Sequence, residues 1–264
     1  MTTPEFSNPL KDKLAAGGVA LGMSVRLARS PDIARIAKST GHDFIFIDIQ
    51  HSVFNIETIS NIAQTALAIG VAPLVRVRSI NDPDVSLMLD NGVTGIVYPD
   101  VNTAEEAQHA VDTCKFAPLG KRSVTGGYPM FDYASVPLKT AIPIMNAATL
   151  VVAMIETVEG LENVEKIAAV PGIDVIHVGT NDLLVNMGIS GEFDNPAIIA
   201  AQARVTAACK AHGKVAGVGG NRDVARQAAA VAKGARFLTT QTDIAFLSAA
   251  ASDWTKRLRS EIVG

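Results

Sequence analysis

The sequence predicts an α/β fold, a closed parallel TIM (β/α)8 barrel, on three observations. Eight short β-rich runs recur along 264 residues, amphipathic stretches of helical length lie between them, and glycine punctuates the helix-to-strand junctions. The first run, Val19–Val25, opens the series, and the second, Phe44–His51, reads Phe-Ile-Phe-Ile-Asp-Ile-Gln-His. Ile56–Ile69 follows with apolar residues at helical spacing and leads to Ala72–Arg78 and then Gly95–Val101. Ala104–Cys114 repeats the helical pattern. The stretch Phe116–Thr149, rich in Gly, Pro and small residues, is long for a plain connector and is expected to be an irregular lid or subunit-contact segment. The second half resumes the alternation: Val151–Glu156, helix Glu159–Val170, Asp174–Gly179, helix Pro196–His212, Lys214–Gly219, helix Arg222–Lys233 and Arg236–Thr240.

Several of these strands are nearly continuous apolar runs, because a parallel strand in such a fold is covered on both faces. Gly70, Gly92, Gly213 and Gly234 each stand after a helical pattern, where a left-handed residue turns the chain back toward the next strand. A doubly wound open sheet is the alternative architecture, but the sequence carries no Gly-x-Gly-x-x-Gly turn after a first strand and no P-loop. A barrel of this kind routinely occupies such a length as one unit, so residues 1–264 are expected to form a single domain.

Composition narrows the function classes. Apolar residues make up 48% of the chain, enough for a large buried core, whereas three Tyr and one Trp offer few platforms for stacking bases. A net charge of −3 argues against an extended phosphate-binding surface and hence against a nucleic-acid partner. Cys114 and Cys209 lie within helical patterns and lack CxxC spacing, which suits a reducing compartment. The first fifteen residues lack the apolar core of a signal peptide and no run is long enough to span a membrane, so a cytoplasmic location is expected.

Catalytic groups of a (β/α)8 barrel sit at the C-terminal ends of its strands, so the polar residues that interrupt the apolar runs there are the informative ones. They are Asp48, Gln50, His51, Arg76, Arg78, Glu156, Asp182 and Asn221. None is a lysine, and Lys214 begins its strand, which leaves a Schiff-base mechanism without a nucleophile. Glu156 ends Val-Val-Ala-Met-Ile-Glu and Asp182 follows Val-Gly-Thr-Asn, so two carboxylates reach the same end of neighbouring strands, an arrangement suited to a hard divalent cation. The bland alternatives are a helix-N-terminal carboxylate for Glu156, a role Glu159 fits better, and a turn cap for Asp182. His51 has the chemistry of a general base near neutral pH, or else of a structural histidine bonded to a loop carbonyl. Arg76 puts a fixed charge at the rim of an apolar barrel and needs an anion, either Asp48 or a substrate oxygen.

These motifs, in this order from about Leu21 to about Leu247, resemble the HpcH/HpaI aldolase family, metal-dependent class II pyruvate aldolases of the phosphoenolpyruvate/pyruvate barrel superfamily. Phe-Ile-Asp48-Ile-Gln-His51 is similar to the family's Asp-x-Glu-His segment and Pro-Leu-Val-Arg76-Val to its arginine strand. Leu-Asp90-Asn-Gly-Val-Thr-Gly-Ile-Val-Tyr-Pro, Ile-Glu156-Thr-Val-Glu-Gly and Val-Gly179-Thr-Asn-Asp182-Leu complete the pattern. The resemblance implies reversible cleavage of a 4-hydroxy-2-oxo acid to pyruvate, or a related 2-oxo acid, and an aldehyde through a metal-stabilised enolate. Oxaloacetate decarboxylation is the implied side activity.

By the same resemblance Glu156 and Asp182 hold Mg2+, Mn2+ or Co2+, and amides around Gly179, Thr180 and Asn181 receive the substrate carboxylate. His51 moves the proton, Arg76 stabilises the keto oxygen, and Asp48 and Gln50 belong to the same site. Asp90 ends a helical stretch at the floor of its own barrel, so it would partner His51 only from a neighbouring subunit, which implies a homo-oligomer of the trimer-of-dimers type with the last helix exchanged.

The sequence departs from the family pattern where Gln50 replaces Glu, Met154 replaces Gln, Thr180-Asn181 replaces Pro or Ser before the aspartate, and Lys121-Arg122-Ser replaces a glycine-rich loop. These changes bear on aldehyde preference. Two other readings share the barrel: a lyase acting on CoA thioesters, as in citrate-lyase β subunits, and a non-catalytic metal- or ketoacid-binding protein.

Overall fold

The computed structural model describes residues 6–263; residues 1–5 and 264, which the single-domain expectation and the reading of the N-terminal segment include, lie outside the described residues. The elements run α1 (Pro9–Ala15), β1 (Ala20–Val25), α2 (Asp32–Ser39), β2 (Phe44–Asp48), α3 (Ile56–Ala68), β3 (Ala72–Arg76), α4 (Val85–Asp90), β4 (Gly95–Tyr98) and α5 (Ala104–Cys114). They continue through a 3-10 turn (Pro129–Phe131), α6 (Leu138–Ala148), β5 (Leu150–Ile155), α7 (Val158–Glu162), α8 (Val164–Ala169), β6 (Val175–Gly179), α9 (Thr180–Asn186), α10 (Pro196–Ala211), β7 (Val215–Gly219), α11 (Val224–Ala232), β8 (Phe237–Thr242) and α12 (Asp243–Val263). The strands close in sequence order from β1 to β8, every neighbouring pair parallel, so the predicted barrel is the observed architecture.

Strand parity divides the core into two layers. Phe44, Phe46, Ala72, Leu74, Val97, Leu150, Val152, Met154, Val175 and Phe237 fill the barrel interior, with Leu10 and Leu14 of α1 in the same cluster. Their strand neighbours Ile45, Ile47, Val75, Ile96, Val151, Ile155, Ile176 and Val178 point outward and pack under the helices. Phe44 and Phe237 stack across the interior with centroids 4.4 Å apart. The α1 plug is tied to the floor by Asn8, whose side-chain oxygen caps Leu10 and whose Nδ2 donates to the Ala148 carbonyl at 2.9 Å. Gly70, Gly92, Gly213 and Gly234 all have positive φ, as their places after helices require.

Four strands end earlier than the sequence suggests, β5 by the single residue Glu156. β2 stops at Asp48 rather than His51 because Oδ1 of Asp48 accepts the backbone amides of Gln50 and His51, both at 3.2 Å, and curls the chain out of the ladder. β3 stops at Arg76 because Asp82 takes the Arg78 amide, and β4 stops at Tyr98, two residues before the left-handed Asp100. The helix expected over Glu159–Val170 breaks at Asn163, and α1, α2, α6, α9 and α12 are helices that periodicity alone left unassigned.

The segment 116–149 is less irregular than expected, since it contains α6 and a satellite core of Phe116, Tyr128, Phe131, Ala141 and Met145. It lies between the end of α5 and the start of β5, at the floor side of the barrel. Lys115 Nζ donates to the Asn146 carbonyl at 2.7 Å, and Asn146 exchanges hydrogen bonds with the Phe116 backbone at 2.8 and 3.0 Å. No helix among the described residues is long and apolar enough to cross a membrane.

Candidate active site

At the C-terminal mouth of the barrel a cavity of about 220 Å³ is lined by Asp48, His51, Arg76, Met154, Glu156, Gly179, Asn181 and Asp182, together with Ser24, Arg26, Phe46, His177, Gly219, Gly220, Arg222, Thr239 and Thr242. Parity explains how the key groups arrive there. Asp48 continues the inward series Phe44, Phe46; Arg76 continues Ala72, Leu74; and Glu156 continues Leu150, Val152, Met154. Each is the next inward position after an apolar layer, at the level where the interior opens to water.

Asp48 and Arg76 face each other in strand register and form a bidentate pair, Nε to Oδ1 at 3.1 Å and Nη2 to Oδ2 at 2.8 Å. Burial alone would raise the Asp48 carboxyl. The hydrogen bonds and charge of Arg76, with the His51 amide, outweigh it and hold the carboxyl below the usual carboxylate range. The guanidinium is thereby fixed in orientation while its remaining donor, Nη1, has no protein partner among the described residues.

Glu156 is 3% exposed at the end of β5, and Asp182 lies beside it in the first turn of α9. Burial, followed by the neighbouring Asp182, pushes the Glu156 carboxyl up to about 8. The Asp100 amide donates to Glu156 Oε1 at 3.3 Å, and Asp100 itself is raised by burial and by the charge of Asp182. Two carboxylates forced together in a partly dry cup form an oxygen donor set for a hard divalent cation. Among the described residues no group of three or more His, Cys, Asp or Glu side chains converges as a metal cage.

The opposite wall of the carboxylate pair is built by glycine. A Cβ on Gly179 would stand 2.5 Å from Glu156 Oε2, and one on Gly220 would stand 3.0 Å from the Asn181 amide nitrogen. Bare backbone at both positions keeps Glu156 and the first-turn amides of α9 accessible. Thr180 Oγ1 is buried without a hydrogen-bond partner, and the Thr180 side chain does not line the cavity.

Of the residues singled out from sequence, Asp48, His51, Arg76, Glu156, Gly179, Asn181 and Asp182 meet in this cup. Gln50 does not. Once the chain leaves the ladder after Asp48, the side chain of Gln50 turns into a separate shallow cavity with Arg78, and its Oε1 is buried without a partner. Arg78 pairs with Asp82 and Asp84, and Asn221 caps the Asp223 amide instead of facing the cup. Asp90, at the floor end of α4, pairs with the buried Arg122 at 2.5 Å and does not line the cup.

Sequence reasoning missed Arg26, Arg222 and His177. Arg26 lies one residue past the end of β1 at Val25, beyond the run that the sequence marks as strand. His177 sits between Val175 and Gly179 on the inward face of β6. Burial, then repulsion from Arg76, lowers it to about 3, so its ring is neutral and packs edge-on to Phe237.

Comparison with known proteins places this geometry. Residues 23–249 match the family model described as HpcH/HpaI aldolase/citrate lyase. The chain is 38% identical over 252 residues, covering 94% of it and 93% of its relative, to the 4-hydroxy-4-methyl-2-oxoglutarate aldolase tasA of Hapsidospora irregularis. It is 31% identical over 273 residues, covering 99% and 98%, to the 4-hydroxy-2-oxovalerate aldolase of Novosphingobium aromaticivorans. The crystal structure of an HpcH/HpaI aldolase from Desulfitobacterium hafniense superposes with a TM-score of 0.90 at 31% identity, covering 95% of this chain and 96% of that one. The chain belongs to the HpcH/HpaI aldolase/citrate lyase family.

Proposed function

We propose that this protein is a carbon–carbon lyase that reversibly cleaves 4-hydroxy-2-oxo acids to pyruvate, or a related 2-oxo acid, and a carbonyl compound. The observation that carries this reading is the juxtaposition, on one barrel mouth, of the crowded Glu156–Asp182 pair with an arginine held in place by Asp48. Glu156 and Asp182 would hold Mg2+, Mn2+ or Co2+, a cation that relieves the repulsion burial imposes on them. When bound, such an ion polarises the keto group and offsets charge developing on its oxygen.

The chain's own groups supply the rest. The amides of Thr180 and Asn181 receive the substrate carboxylate, with Gly179 and Gly220 keeping the approach open. In cleavage the C3–C4 bond breaks, its electron pair passes into the enolate of the 2-oxo acid, and the C4 hydroxyl becomes a carbonyl as it loses its proton. His51, exposed on the cup lining, takes that proton directly or through water and returns one to C3. Arg76 points preorganised donors at the keto oxygen that gains charge, and Asp48 prevents it from reorienting.

Oligomerisation belongs to the same proposal. α12 leaves Leu247, Trp254, Leu258 and Ile262 exposed, a stripe that exchange onto a partner barrel would cover, and the segment 116–149 is available for subunit contact. Both cysteines are buried and free, with thiols pushed up to about 11 and about 12 by burial, consistent with a reducing cytoplasm. Coupled detection of pyruvate tests the reading. Cleavage of a 4-hydroxy-2-oxo acid should vanish with EDTA and return with Mg2+, Mn2+ or Co2+, and turnover that survives complete metal removal would refute it.

A further inference from the structure

The catalytic reading uses one arginine of the cup and leaves two without a task. Arg26 follows β1 and Arg222 follows β7, so both stand on the β7–β8–β1 sector of the mouth. In a closed eight-stranded barrel β1 lies diametrically across from β5, which places Arg26 opposite Glu156. The two guanidiniums are close enough that Arg26, with Arg76, helps to lower Arg222, after the effect of burial.

Arg26 is held in a built position. The Asp243 carboxylate accepts the amides of Arg26, Leu27 and Ala28 at 3.0, 2.9 and 2.8 Å, which pins the loop after β1 to the start of α12. Its side chain then donates Nη2 to the His51 carbonyl at 3.0 Å and Nε to Ser52 Oγ at 3.3 Å, and rests 3.4 Å from Asp48. Asp48, however, already satisfies Arg76 bidentately. Arg222, which also lines the cup, has neither a side-chain hydrogen bond nor an ion pair among the described residues.

Charge balance identifies what these two cations await. Three guanidiniums and three carboxylates line the cup. A divalent cation held by Glu156 and Asp182 would leave it with two surplus positive charges, which a dianionic substrate would cancel and a monoanionic one would not. One substrate carboxylate is already placed, at the α9 amides. From this we infer that Arg26 and Arg222 bind a second carboxylate, carried on the half of the substrate beyond the scissile bond. The preferred substrates are then 4-hydroxy-2-oxo dicarboxylic acids, and the second product is an oxo acid in place of a neutral aldehyde. Guanidinium forks match carboxylate oxygens in pairs, and a cavity of about 220 Å³ suits a short diacid.

This inference rests on the aldolase reading for its chemistry, and its test separates the two. Binding is measured by calorimetry in Mg2+ for 2-oxoglutarate and 2-oxopentanoate, chains of equal length that differ in the distal carboxylate. Cleavage is measured for 4-hydroxy-4-methyl-2-oxoglutarate and 4-hydroxy-2-oxovalerate. In the wild-type protein the diacid is favoured in both assays by about tenfold or more. Arg222→Met, at an exposed rim position, brings the diacid-to-monoacid ratio toward unity, Arg222→Lys retains part of it, and Arg222→Glu inverts it. Because each ratio is taken within one variant, a general loss of active protein cancels. Equal affinity for the two oxo acids, or a ratio indifferent to Arg222, overturns the assignment. A binding preference that responds to Arg222 without any cleavage upholds the arginine site and refutes the aldolase reading.

Discussion

Replacing Gly179 with alanine isolates the contribution of Glu156 placement from that of the fold. The added methyl would stand 2.5, 2.6 and 2.8 Å from Oε2, Cγ and Cδ of Glu156. Ordinary contact begins at 3.4 Å, so the carboxylate oxygen must retreat by the difference between 3.4 and 2.5 Å, at least 0.9 Å. Because Cγ is crowded as well, rotating the terminal carboxylate cannot relieve the clash and the whole side chain must move. Backbone strain is not part of the effect, since Gly179 has φ −82° and ψ 84°, on the negative-φ side that alanine tolerates. The overpacking costs about 1–3 kcal/mol of stability, which a barrel of this size tolerates. The catalytic effect is larger: displacement of a positioned group by about 1 Å typically costs about 100-fold. Pyruvate release at saturating metal and calorimetric metal affinity should both fall steeply while the far-UV spectrum stays native. Activity and metal affinity within a few-fold of the wild type would show that Glu156 placement does not govern the site.

Three further outcomes follow from charges buried in the fold. With Glu156 raised to about 8, metal binding to the Glu156–Asp182 pair at pH 7 should release about one proton, read as buffer-dependent binding enthalpy, and Glu156→Gln should abolish the release. His177 is lowered to about 3 from 6.5, so its contribution to stability is complete above pH 6.5 and is lost as pH falls toward 3, where only the unfolded chain takes the proton. Urea unfolding of His177→Gln should show a shallower acid slope, the difference being on the order of a few kcal/mol at pH 4. Arg122 has 0% of its side chain exposed and rests on the Phe116 ring, with Asp90 as its one charged partner among the described residues. Asp90→Ala should therefore cost about 3–5 kcal/mol in urea unfolding, and adding Arg122→Met should recover most of it. An undiminished loss in the double variant would mean that Asp90 acts through other contacts.

Much of the fold was legible because its causes are local. Strand periodicity of two and apolar runs covered on both faces mark the strands, and helical spacing marks the longer helices between them. The same parity that fills the barrel with Phe44, Phe46, Leu74, Val152 and Met154 carries Asp48, Arg76 and Glu156 to its mouth, so the core pattern and the site pattern are one signal. The short helix α9 escaped because seven residues contain too few turns to display a period.

By itself, then, the sequence determined the barrel, the inward-facing acids and arginine at its rim, and the family those motifs resemble. The tertiary structure decided what happens once the chain leaves each strand. Gln50 turns away because Asp48 captures the two amides that would have continued β2. Arg26 faces the cup because Asp243, more than two hundred residues downstream, gathers three amides of its loop. Asp90 points to Arg122 because the segment after α5 folds back along the floor. Within a strand, backbone geometry dictates where a side chain points; beyond its end the direction depends on long-range hydrogen bonds, which no local period records.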